Sequence, residues 1–176
     1  NVAAGVSGAV TPSSIVDLLD VSTNSWHTAN LSQPRCEIVA TTVGRKALFA
    51  AGLVSPNPPI VSAVVDIWDS LTNAWSTATL SQARNGLAAA TAGGKALFAG
   101  GETLSSTTTV VDIYGPAVGW STATLSQARY GLAAASTGTK ALFAGGTYLS
   151  GGSAYASTVV DIFDSATGLW SAASLS

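Results

Sequence analysis

The chain has 176 residues, room for one domain at ~150 residues per domain. With 47% hydrophobic residues, 9% charged residues and a net charge of -2, it is no highly charged disordered tail and is expected to bury a core. Its longest unbroken apolar stretch, Ala47 to Val54, falls far short of the ~20 residues of a membrane helix, so no span is expected.

Other classes fall away on residue type. Seven basic against nine acidic residues supply no basic stripe for phosphates, which argues against nucleic acid as a partner. Cys36 is the only cysteine, so neither an internal disulfide nor a thiolate metal cluster is available. His27 is the only histidine and reads as a solvated residue rather than a ligand. No cofactor, metal or catalytic residue is expected, and the chain reads as non-enzymatic.

In chain order, Asn1-Val2-Ala3-Ala4-Gly5 aligns with Leu48-Phe49-Ala50-Ala51-Gly52. The chain therefore reads as entering a repeat at the end of its second strand, as a processed or partial polypeptide. Val16-Asp17-Leu18 follows, then Trp26, the sequon Asn30-Leu31-Ser32 as a weak glycosylation candidate at Asn30, and Arg35. The same succession returns as Val65-Asp66-Ile67, Trp75 and Arg84, and again as Val111-Asp112-Ile113, Trp120 and Arg129. A last copy holds Val160-Asp161-Ile162 and Trp170. The aspartates stand 49, 46 and 49 residues apart, which makes repetition the organising feature. The units are placed at 1–34 (the end of a second strand, then a third and fourth), 35–80, 81–125 and 126–176.

Within a unit, short apolar runs bounded by Gly, Asn, Asp and Ser predict strands, since no helical stripe lasts ten residues. In the clearest copy these are Gly86–Thr91, Lys95–Ala99, Val110–Tyr114 and a fourth beginning near Trp120. Ala92-Gly93-Gly94 and Asp69-Ser70-Leu71-Thr72-Asn73 supply the turns. Leu87-Ala88-Ala89-Ala90 is small enough for the most crowded, innermost place. Trp75, Trp120 and Trp170 are expected in the core, with Gly-Gly permitting close approach of a ring.

The order of Arg, a small-residue strand, Gly-Gly, Val-Asp-Ile-Tyr or Val-Asp-Ile-Phe-Asp, and Thr-Asn or Thr-Gly before Trp resembles the kelch repeat. That resemblance implies all-β blades of four antiparallel strands, each one blade of a β-propeller whose ring about three and a half blades leave incomplete. Departures are Ala51-Gly52 for Gly-Gly, and Gly115-Pro116 where other units have the turn aspartate. Either a longer protein supplies further blades, which is the favoured reading, or copies associate.

Charge placement narrows the candidate sites. Of 16 charged residues, all but Glu37, Arg45 and Glu102 lie at repeat positions. The exterior is therefore mainly Ser, Thr, Gly and Ala, with Ser and Thr numbering 43. Such a surface suits an extracellular or cell-surface place, or coverage by neighbours. Strand alternation puts the fourth-to-first loops and the variable second-to-third loops on one face. On that face Arg35, Arg84, Arg129, Gln82, Gln127, Asn85 and Tyr130 are candidate binding residues. Asp17, Asp66, Asp112, Asp161, Trp26, Trp75, Trp120 and Trp170 are the structural repeat. For the arginines two readings stand: capture of a carboxylate at the mouth of an axial channel, or pairing with Asp66, Asp112 and Asp161. The expected role is a protein-interaction or assembly scaffold. The alternatives are a building block of a surface or filamentous assembly, or the non-catalytic part of a larger enzyme.

Overall fold

Residues 10–176 are described by the computed structural model; the strand end expected at Asn1 to Gly5 lies outside them. Among the described residues there are eighteen strands and no helix. β1 (Ser13–Asp20) and β2 (Ser25–Arg35) form an antiparallel pair. Three four-stranded antiparallel sheets follow. The first holds β3 (Val39–Val43), β4 (Lys46–Ala50), β7 (Val64–Asp69) and β8 (Ala74–Thr79). The second holds β9 (Ala88–Ala92), β10 (Lys95–Ala99), β11 (Val110–Gly115) and β12 (Gly119–Thr124), and the third β13 (Ala133–Thr137), β14 (Lys140–Ala144), β17 (Val159–Asp164) and β18 (Leu169–Ser174).

Two of the three loops expected between second and third strands are themselves hairpins. β5 (Leu53–Pro56) pairs with β6 (Pro59–Val61), and β15 (Thr147–Ser150) with β16 (Ser153–Ala156). The connection after β10 makes only single bridges at Glu102. Their alternation is too short and too polar to separate them from loops by sequence. The strand expected at Gly86 begins instead at Ala88, because Gly86 has φ +62° and cannot continue an extended chain. Before each tryptophan, Asn24, Asn73, Gly119 or Gly168 takes the left-handed turn position.

The alanine strand β9 packs between β3 and β13. Thr41 Oγ1 and Thr91 Oγ1 lie 2.9 Å apart, and Thr91 N donates to Ser136 Oγ at 3.1 Å. Small side chains let the backbones approach that closely. The core lies between sheets rather than within one. Val43, Leu48, Ala50, Val65 and Ile67 of the first sheet meet Leu87, Ala96 and Phe98 from the next unit. Ala88, Ala90, Leu97, Val111 and Ile113 meet Leu132, Ala141, Phe143 and Phe163 in the same way.

The tryptophans correct the expectation of a buried core. Trp75, Trp120 and Trp170 are half-buried, and Trp26 is 67% exposed. An outermost strand has a neighbour on only one edge, so its ring covers the sheet instead of entering it. Each half-buried ring packs on the second-strand phenylalanine of its own sheet, with centroids 5.9 Å apart for Phe49–Trp75, 6.1 Å for Phe98–Trp120 and 6.2 Å for Phe143–Trp170. Where Gly115 replaces the turn aspartate, Lys95 has lost the acid that Lys140 finds in Asp164 at 2.5 Å, and lies 5.6 Å from the Phe163 ring centroid.

Candidate functional site

The residues singled out on the arginine face divide into a sealed inner layer and a polar rim. Arg35 closes β2, while Arg84 and Arg129 stand four residues before β9 and β13. Their side chains are 0% exposed and point into the four-stranded sheet that follows each of them, where each forms an ion pair with the third-strand aspartate: Arg35 with Asp66, Arg84 with Asp112 at 2.8 Å and Arg129 with Asp161. Backbone carbonyls take other donors. Arg35 Nη1 donates to Ala51 O at 2.8 Å and Val64 O at 2.7 Å; Arg129 Nη1 donates to Gly145 O at 2.8 Å and Val159 O at 2.7 Å. Arg84 is turned differently, with Nε donating to Gly100 O at 2.8 Å and Nη2 to Phe98 O at 3.1 Å. Burial pushes all three guanidinium groups below the usual arginine range, and the facing aspartate opposes that shift. Of the two readings of these arginines, the geometry carries pairing. No guanidinium faces outward for a carboxylate at a channel mouth, because the charge is neutralised inside the sheet.

The aspartate does a second job. Its Oδ1 accepts the backbone N–H of the serine three residues before the arginine: Ser32 to Asp66, Ser81 to Asp112 and Ser126 to Asp161, each at 2.9 Å. One carboxylate therefore fixes both ends of the loop that leads from one unit into the next. Adjacent units are also tied backbone to backbone, by Gly52 N to Arg84 O at 3.1 Å and Gly101 N to Arg129 O at 2.8 Å.

The second glycine of the Gly-Gly pair has a different reason from the one expected. A Cβ on Gly101 would stand 2.6 Å from Asn85 O, and one on Gly146 2.6 Å from Tyr130 O. Backbone carbonyls, not aromatic rings, demand the space. Gly101 also has φ +103°. Gly101→Ala is accordingly expected to destabilise by about 1–3 kcal/mol, the range for a strained backbone position, as a lowered urea midpoint. Gly94→Ala, with φ +72° but nothing within 4 Å of its Cβ, is expected to cost less.

Around the sealed layer lies the rim. Asn85 is buried, Tyr130 and Gln127 half-buried, and Gln82 exposed. Asn85 Nδ2 donates to Glu37 Oε2 at 2.9 Å and to Glu102 Oε1 at 3.4 Å. Two of the three charges outside the repeat pattern thus meet at one amide. Their departure from the pattern was the only available signal. Glu37 holds φ +54° where the other units have Gly86 and Gly131. Gln127 Oε1 accepts from Ser157 Oγ at 2.6 Å, and Gln33 does the same from Ser62 at 3.0 Å. Cys36, Asn85 and Tyr130 occupy one repeat position and bridge to Leu53, Glu102 and Thr147 at the roots of the three variable connections.

Cys36 is half-buried. Burial, with the Glu37 carboxylate beside it, pushes its thiol up. Thiolate is the reactive form, so disulfide exchange at pH 8 is expected several-fold slower than in the urea-unfolded chain, and faster in Glu37→Gln. Equal folded and unfolded rates would contradict this. Exposed on β2, Asn30 accepts from Ser14 Oγ at 3.1 Å. His27 is exposed too, and among the described residues no group of three potential metal ligands occurs.

No protein-family model and no curated protein matches the chain. A solved structure named YjhT is similar to 91% of this chain and 52% of its own, with a TM-score of 0.70 at 19% identity. That likeness is one of fold alone, and the chain spans about half the length of that structure.

Proposed function

We propose that the chain is a segment of a kelch-type β-propeller and acts as a non-enzymatic scaffold for protein interaction or assembly outside the cell. One observation carries the reading. Three Arg–Asp anchors at one repeat position support three connections that differ in sequence and length: the hairpin 53–61, the open loop 102–108 and the hairpin 147–156. A constant frame with divergent loops on one side is how repeat proteins vary recognition without altering the core. The four-stranded meanders, their inner strands side by side and the core between them support the propeller itself.

Recognition is tested by replacing 54–60, 103–107 and 148–155, which spares the bridged roots Leu53, Glu102 and Thr147, with short Gly-Ser turns, singly and together. The shortened chains are expected to keep their folding midpoint and to lose a partner captured by affinity purification from extracellular fluid of the source. Capture unaffected by all three replacements would overturn the reading. The alternative of a building block draws on the charge-poor, hydroxyl-rich exterior. It predicts self-association in sedimentation velocity at micromolar concentration.

A further inference from the structure

Antiparallel pairing sends the strand ends of every four-stranded sheet to the same two faces. On one, the variable connections of adjacent units meet, and Asn85 of one unit donates to Glu37 of the unit before it. On the other the turns meet, and Gly93 lies against Ser165. Charge is divided between these faces. Arg35, Arg84 and Arg129 are sealed, and the four remaining basic residues, Arg45, Lys46, Lys95 and Lys140, all stand at the first turn of a sheet. Among the described residues the connection face carries Glu37 and Glu102 and no exposed cation. Neither carboxylate has an ion-pair partner there, although both accept from the Asn85 amide. Lys95 is their counterpart on the turn face. It stands where Lys46 and Lys140 find Asp69 and Asp164, but Gly115 replaces its aspartate.

Apolar exposure follows the same division. In units 35–80 and 81–125, each flanked by a neighbour on both sides, the large hydrophobic side chains left exposed are Ile60, Leu71, Leu104 and Val118, at 50%, 71%, 64% and 80%. Ile60 and Leu104 belong to the connections, Leu71 and Val118 to the turns between third and fourth strands. None lies on a flank of a sheet.

We propose that the turn face of one copy docks on the connection face of a second copy, so that copies stack strand end on strand end. Lys95 of one copy meets the Glu37–Asn85–Glu102 cluster of the other, where two carboxylates share one amide and a cation relieves their repulsion. Leu71 and Val118 of the first copy cover Ile60 and Leu104 of the second, which removes apolar surface from water. The two faces differ, so the contact is heterologous and each added copy presents a fresh face to the next. The inference rests on the assembly reading above and names the turn face of another copy as what the connections receive.

Sedimentation velocity of the full chain at micromolar concentration, at ~0.05 M and ~0.5 M salt, tests the contact with the variants Glu102→Lys and Lys95→Glu. The parent is expected to form species larger than dimers, and fewer of them at the higher salt. Each variant alone sets a like charge against its own contact and should associate on the order of tenfold more weakly. An equal mixture of the two should recover association, because junctions with the original pair then alternate with junctions in which the charges are exchanged. Neither side chain belongs to a sealed ion pair, and both variants are expected to fold. Association that stops at dimers would mean a two-fold contact between like faces and would overturn the proposal, as would association indifferent to both variants or a mixture that recovers nothing. Assembly itself would stand in those cases. A chain that stays monomeric throughout would overturn the assembly reading as well and leave the connections to a different protein.

Discussion

Arg84→Ala is expected to destabilise the chain by about 3–5 kcal/mol, the cost of removing one member of a buried ion pair. The substitution strands the Asp112 carboxylate, 2% exposed, in the interior and removes the donors to Gly100 O and Phe98 O. Loss of both partners in Arg84→Ala/Asp112→Ala should cost less than the sum of the single changes, because no lone charge remains. Ser81 N–H, which Asp112 also accepts, stays without its acceptor, so the double variant does not return to the parent's stability. Urea melts of the four proteins measure the coupling. A single-variant loss below about 1 kcal/mol would mean that the pair is solvated like a surface bridge.

Trp120→Ala is expected to cost about 2–4 kcal/mol, somewhat under the full-burial figure for a large aromatic, since the ring is half-buried. It packs on Phe98 and also on Tyr114, with a centroid distance of 5.1 Å to the latter. Trp26→Ala should cost well under ~1 kcal/mol, because that ring is 67% exposed and no aromatic ring packs on it among the described residues. The contrast between two copies of one repeat position is the test. Equal losses would mean that Trp26 is covered in solution.

Much of the architecture is legible from repetition. The spacing of Val-Asp-Ile, Trp and Arg gives the unit, and the tetrad of strands in each copy follows from turn residues between short apolar runs. Lys95–Ala99 coincides with its strand, and Val110–Tyr114 falls one residue short of β11. The copies present the same local signals, so an error in reading one is repeated in the others. The start of β9 shows this: Gly86, left-handed, sits outside the strand it was expected to begin, as Gly131 stands left-handed before β13, and no periodicity distinguishes a glycine that continues a strand from one that precedes it.

The candidate site was legible only in part. Arg and Asp recur once per unit, and their balance already favours pairing. Which way a guanidinium points is set by where buried carbonyls and carboxylates converge, and those come from residues 14 to 32 positions away. Glu37, Asn85 and Glu102 come together for the same reason. They lie on three segments whose meeting depends on how neighbouring units pack.

By itself the sequence determined the all-β class, the period, the aspartate–arginine stoichiometry and the small-residue inner strand, because each is a local pattern read against backbone geometry. Only the tertiary structure decided that the arginines are sealed, that the second glycine yields to a carbonyl from the start of its own unit, and that the variable connections include two hairpins. These depend on distances between chain segments far apart in sequence, and a burial cost or a complementary charge has meaning only once those segments meet.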